Sequence, residues 1–133
     1  MEETKVGVFL SDCGNQLSEI LDFNALVEYV KQISGVALVA RASEFWRGKG
    51  LKTITEAIKG KKINRVVVAE SIPKLSEINI TNAVESAGLN PYLVEVLDIK
   101  DHCAWPHRDA PSEATEKAKA MLLAAIERAK LLE

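Results

Sequence analysis

The sequence predicts a single α/β domain built on a parallel sheet of about four strands. Three observations carry that prediction. Short, mostly β-branched apolar runs recur about every 30 residues. Segments with apolar residues at helical spacing stand between them. The chain has 133 residues, one domain's worth, and shows no internal linker, low-complexity tract or recurring sequence motif.

The strand runs are Val6-Gly7-Val8-Phe9-Leu10, Val36-Ala37-Leu38-Val39-Ala40, Val66-Val67-Val68-Ala69 and Tyr92-Leu93-Val94-Glu95-Val96-Leu97. Continuous apolar runs of this length suit strands covered on both faces, as in a parallel sheet. The first helix is read from Phe23, Leu26, Val27, Val30 and Ile33, and the second from Leu51, Ile54, Ala57 and Ile58. The third is marked by Ile80, Ala83, Val84 and Ala87, and Gly88 terminates it ahead of Asn90-Pro91. The last runs over residues 111–132, with Ala114, Ala118, Met121, Leu122, Ala125, Ile126 and Ala129 along one stripe. The order β-α-β-α-β-α-β-α predicts a three-layer domain of flavodoxin- or Rossmann-like βα repeats over residues 1–133, with helices on both faces.

Composition narrows the function classes. Hydrophobic residues at 47% and charged residues at 27% describe a globular chain rather than a disordered or membrane-embedded one. A net charge of −2 lacks the basic excess of a general nucleic-acid or membrane-surface binder. Two cysteines and two histidines exclude a disulfide scaffold and a self-contained four-cysteine iron–sulfur or zinc site. The start Met1-Glu2-Glu3-Thr4-Lys5 lacks the basic region of a secretory signal, and no run approaches the roughly 20 apolar residues of a membrane span. The expected location is the cytoplasm, with both thiols reduced.

In an open parallel sheet, ligands gather beyond the carboxyl ends of the strands. Four loops lie there: Ser11-Asp12-Cys13-Gly14-Asn15, residues 41–48, Glu70-Ser71-Ile72-Pro73-Lys74, and residues 98–109. Both cysteines, both histidines and both tryptophans fall in them. Neither G-x-G-x-x-G nor G-x-x-x-x-G-K-[ST] occurs, so Gly14 reads first as a tight-turn residue. An FMN or nucleotide site remains an alternative, held by Asp12, Gly14, Ser71 and Pro73 with helix N-termini attracting phosphate.

His102-Cys103-Ala104-Trp105-Pro106-His107 places two imidazoles and a thiol together, and Cys13 supplies a fourth metal donor. Dedicated sites show paired C-x-x-C or H-x-x-x-H spacing, so this irregular spacing favours the other reading, in which the side chains pack or hydrogen-bond locally. Cys13 and Cys103 are the redox candidates, and one intervening strand would separate their strand ends by about 10 Å. Phe45-Trp46, beside Arg41, Arg47 and Lys49, forms either a docking patch or a cap folded over the sheet end. Trp105 joins Phe45 and Trp46 as an expected interface residue. Lys59, Lys61 and Lys62 mark a solvated helix end.

Taken together, these loops and their flanks resemble a known family. Val6-Gly7-Val8-Phe9-Leu10-Ser11-Asp12-Cys13-Gly14, Ala87-Gly88-Leu89-Asn90-Pro91-Tyr92-Leu93, Asp101-His102-Cys103-Ala104-Trp105-Pro106-His107 and Ala114-Thr115-Glu116-Lys117-Ala118-Lys119 are similar to the N-terminal domain of the A-type subunit of heterodisulfide reductase. The resemblance implies a module of cytoplasmic electron-transfer complexes of anaerobic or sulfur metabolism. There it precedes a flavin-binding domain and associates with iron–sulfur subunits.

Three family cysteines are absent. Ser11 stands for the first cysteine of the first loop, Trp46-Arg47 for the Cys-Ser pair of the second, and the third loop keeps only Pro73 and Glu77 of its pattern, with Lys74 for Arg. Serine is a poor cluster ligand and tryptophan is none. The expectation is therefore an accessory or docking module, not an enzyme on its own, with no cofactor bound by the chain alone. Its expected partners are iron–sulfur or flavoprotein subunits or a second copy of itself, not nucleic acid or a membrane. The alternative is a small redox protein using Cys13 and Cys103 as thiols or as partial ligands of a cluster shared between subunits.

Overall fold

The computed structural model describes residues 4–12, 17–45, 48–70, 74–99 and 109–132. Its elements run β1 (Val6–Ser11), α1 (Phe23–Lys31), β2 (Val36–Ala42), α2 (Gly48–Lys59), β3 (Arg65–Ala69), α3 (Lys74–Ser86), a 3₁₀ turn (Pro91–Leu93), β4 (Val94–Leu97) and α4 (Pro111–Lys130). The four strands form one all-parallel sheet in the order β2-β1-β3-β4. A three-layer α/β domain is thus present, as the alternation of patterns predicts.

Side-chain alternation along β1 and β3 builds two cores. Val6, Val8 and Leu10, with Val67 and Ala69, pack against α1 and α4 through Leu26, Val30, Ala118, Leu122 and Ile126. On the other face Phe9, Val66 and Val68 meet α2 and α3 through Ile54, Ile58, Ile80 and Val84. The alanine stripe of α4 lets a 20-residue helix lie close to the sheet.

Capping joins the helices of the first face. Asp22 accepts the Ala25 N–H at 3.0 Å as the N-cap of α1, and its own N–H donates to Thr115 Oγ1 of α4 at 3.1 Å.

Three expectations are corrected. Tyr92 and Leu93 belong to the 3₁₀ turn rather than to the last strand. Asn90 Oδ1 accepts the Tyr92 N–H at 2.9 Å, Pro91 sets the turn, and sheet pairing begins only at Val94 opposite Val66. β2 was expected to be covered on both faces, yet none of its residues is buried, because it is an edge strand paired with β1 alone. α3 begins at Lys74, the last residue of the loop expected over 70–74. Among the described residues no helix is long and apolar enough to cross a membrane.

Candidate functional site

The strand order sets where a site would form. From β1 the chain crosses to β2 on one side, and later returns to β3 on the other. The carboxyl ends of β1 and β3 therefore flank the switch point, the usual ligand crevice of such sheets. Ser11 ends β1 there with Asp12 next in the chain, and Glu70 follows directly on β3.

Glu70 is the most unusual group at this edge. A glutamate is rarely enclosed, yet this one is 1% exposed. Its Oε1 accepts the Phe45 N–H at 2.8 Å. Among the described residues its Oε2 has no hydrogen-bond partner. Burial pushes the carboxyl above the ordinary carboxylate range, and the Glu44 carboxylate pushes it the same way. The Phe45 N–H and the Ser11 hydroxyl oppose that shift. The Ser11 hydroxyl also donates to the Ser43 carbonyl at 2.8 Å.

The β2–α2 connection is thereby pinned at several points. The Asp12 N–H donates to the Ala42 carbonyl at 3.1 Å. Phe45 is wholly buried and meets Phe9 edge-on, with centroids 5.4 Å apart. Gly50 of α2 lies so close that a Cβ built on it would overlap the Glu44 carbonyl oxygen.

Asp12, expected as a cofactor contact, is 6% exposed and pairs with Arg41 at 3.6 Å. The Arg41 guanidinium in turn lies 4.8 Å from the centre of the Phe23 ring. Beside it a cleft of about 460 Å³ opens between the starts of α1 and α4, lined among others by Arg41, Asp22, Phe23, Pro111 and Thr115.

Phe45 requires a correction. Expected at an interface, it belongs instead to the core on the α2/α3 face, because the connection folds inward over the sheet end. Cys13, Gly14, Trp46, Ser71, Pro73, His102, Cys103, Trp105 and His107 lie outside the described residues. For the two cysteines the topology still speaks through their strands. β3 separates β1 from β4, so their loops spring from strand ends about 10 Å apart. Among the described residues no group of three or more His, Cys, Asp or Glu is placed to hold a metal ion, so those residues do not themselves fit a cluster.

Glu70 was not singled out by sequence reasoning. The available signal was a carboxylate following a fully apolar strand with no turn residue between, in Val66-Val67-Val68-Ala69-Glu70.

No family model matches the chain. Among curated proteins it is 41% identical over 132 residues to an A-type iron-sulfur subunit of the CoB–CoM heterodisulfide reductase of Methanopyrus kandleri, covering 99% of this chain and 20% of that protein. It is 38% identical over 133 residues to the A-type subunit of the H2:CoB-CoM heterodisulfide,ferredoxin reductase of Methanothermobacter marburgensis, covering all of this chain and 20% of the relative. A protein of Archaeoglobus profundus named for its likeness to the same type of subunit is 35% identical over 132 residues, with 99% and 19% covered. The chain thus spans about a fifth of the length of the curated relatives it matches. Near-complete alignment of the chain at this identity, on the α/β architecture described, makes it the homologue of one domain of A-type heterodisulfide reductase subunits.

Proposed function

We propose that this domain is an accessory or docking module of a heterodisulfide-reductase-like electron-transfer complex, and that it does not catalyse on its own. The observation that carries this reading is the alignment of nearly the whole chain with a fifth of the subunits named above. The structure supports it through the switch point. Phe45 and Glu70 fill the described part of that crevice with a core aromatic and an enclosed carboxyl. The loop cysteines missing from Ser11 and Trp46-Arg47 weigh the same way.

Contacts with a partner are assigned to Trp46, Trp105 and His107, and the partners are iron–sulfur or flavoprotein subunits. The surroundings are cytoplasmic.

A second reading, in which Cys13 and Cys103 are ligands of a cluster completed by another polypeptide, draws on the words iron-sulfur in a relative's name. His102 and His107 would be the further donors. Two cysteines per chain fall short of the four that a cluster ordinarily takes.

Anaerobic purification separates the two. The docking reading expects a colourless chain without iron that binds purified heterodisulfide reductase subunits, with binding lost in Trp46→Ala/Trp105→Ala. A brown, iron-loaded chain that bleaches in Cys13→Ser supports the second reading. Failure to bind any of those subunits overturns the first.

A further inference from the structure

The arrangement around Glu70 has a feature that docking does not use. Ser11 carries one hydroxyl proton, and among the described residues two acceptors compete for it: the Ser43 carbonyl at 2.8 Å, and the carboxyl of Glu70, which follows Ala69 just as Ser11 follows Ala69's strand partner Leu10. We propose that Glu70 is a proton-operated latch on the β2–α2 connection. When it is protonated, the Ser11 hydroxyl stays on the Ser43 carbonyl. When it is ionised, that hydroxyl turns to the carboxylate and Ser43 is released.

The geometry supplies the reason. An ionised carboxylate that is 1% exposed must collect donors, because water cannot solvate it. Phe45 offers its N–H, already bound to Oε1, and Ser11 offers its O–H. A neutral carboxylic acid has no such demand, so the Ser11 proton serves the backbone carbonyl instead. The proton given up by Glu70 passes to solvent, and no other bond is made or broken.

The segment that moves is anchored on both sides of the released carbonyl. The Asp12 N–H holds Ala42 before it, and Phe45 is held after it by its ring and by the close approach of Gly50 to Glu44. Release of Ser43 therefore loosens one link of a short strap rather than the whole connection.

Charged groups described at this edge are Glu44 on the strap, the Asp12–Arg41 pair at the ends of β1 and β2, and Asp98 after β4. Glu44 disfavours the ionised state of Glu70 by like charge, and the Ser11 hydroxyl favours it. The latch is a property of the chain by itself and stands whether or not the docking reading holds.

The test follows two carbon resonances of the full chain during a pH titration by NMR, the Glu70 side-chain carboxyl and the Ser43 carbonyl. The expected result is one shared midpoint, above the ordinary carboxylate value. In Ser11→Ala the Ser43 response vanishes and the Glu70 midpoint moves up. In Glu44→Gln the shared midpoint moves down, with both signals still moving together. This second variant leaves Ser11 untouched and keeps the test open if Ser11→Ala fails to fold. A Ser43 signal that ignores the Glu70 titration, or that keeps its midpoint while Glu44→Gln shifts that of Glu70, overturns the proposal. The latter outcome assigns the response to a group other than Glu70.

Discussion

Glu70 places a titratable group where folding stability becomes sensitive to pH. Its folded-state proton affinity is raised, chiefly by burial, so between the ordinary carboxylate value and the raised one the folded chain holds a proton that the unfolded chain has lost. Stability is then greatest below the ordinary value and falls as pH rises through the raised one. Denaturant titrations across that range should show wild type losing stability with rising pH, while Glu70→Gln removes that part of the slope. An unchanged slope in the variant would show that another group is responsible.

Gly50 has a steric role at the same edge. In Gly50→Ala the new methyl meets backbone rather than a flexible side chain, so α2 or the Glu44 carbonyl must shift. A loss of about 1–3 kcal/mol is expected, read as a lower denaturation midpoint. Neither residue's role was legible in sequence. Whether an enclosed carboxyl is tolerated depends on a backbone N–H from residue 45, and no local pattern announces that contact.

At the scale of the elements, α2 and α3 end alike on different residues. α3 closes with Leu89 N–H on Val84 O at 3.1 Å and Gly88 N–H on Glu85 O at 3.0 Å, and Gly88 takes a φ of 100°. The close of α2 repeats this with Lys62 N–H on Ala57 O at 3.1 Å and Lys61 N–H on Ile58 O at 3.0 Å, and here Lys61 stands at φ 57°. A side chain pays for the left-handed conformation that glycine adopts freely. Lys61→Gly should accordingly stabilise the chain by about 1 kcal/mol, and Gly88→Ala should cost about the same, as thermal midpoints moving in opposite directions. Nothing lies within 4 Å of a Cβ added at Gly88, so its cost is conformational alone. The end of α3 was legible because glycine is a specific stop signal. That of α2 was legible only through Lys59, Lys61 and Lys62, which mark a solvated helix end without showing that Lys61 takes the left-handed position.

Across the whole molecule, period and polarity were enough to specify strands, helices and a two-sided sheet, because Val66-Val67-Val68-Ala69 is apolar toward both layers. They did not specify which strands are neighbours. A crossover helix can return its strand to either side, so the edge position of β2 and the place of β3 between β1 and β4 came only with the fold. The candidate site was legible as a location, the carboxyl edge, but the interior place of Phe45 was not, since an aromatic in a loop reads the same whether it points out or in.

The two-sided core has a measurable consequence. Leu122→Ala, wholly buried on α4, should cost about 2–5 kcal/mol, whereas Leu131→Ala, 81% exposed, should stay within about 0.5 kcal/mol in the same denaturation assay.

The pole opposite the loops carries its own staple. Lys5 N–H donates to Asn64 Oδ1 at 2.7 Å, Arg65 N–H donates to the Lys5 carbonyl at 3.1 Å, and the Arg65 guanidinium reaches the Leu132 carbonyl at 2.9 Å. One two-residue stretch thus clasps the strand that opens the sheet and the helix that closes the fold. The domain is in effect a plug with its cable at the back: a label, surface anchor or fused neighbour joined near Lys5 or Leu132 trails away from the carboxyl edge and leaves that edge clear to meet whatever is brought to it.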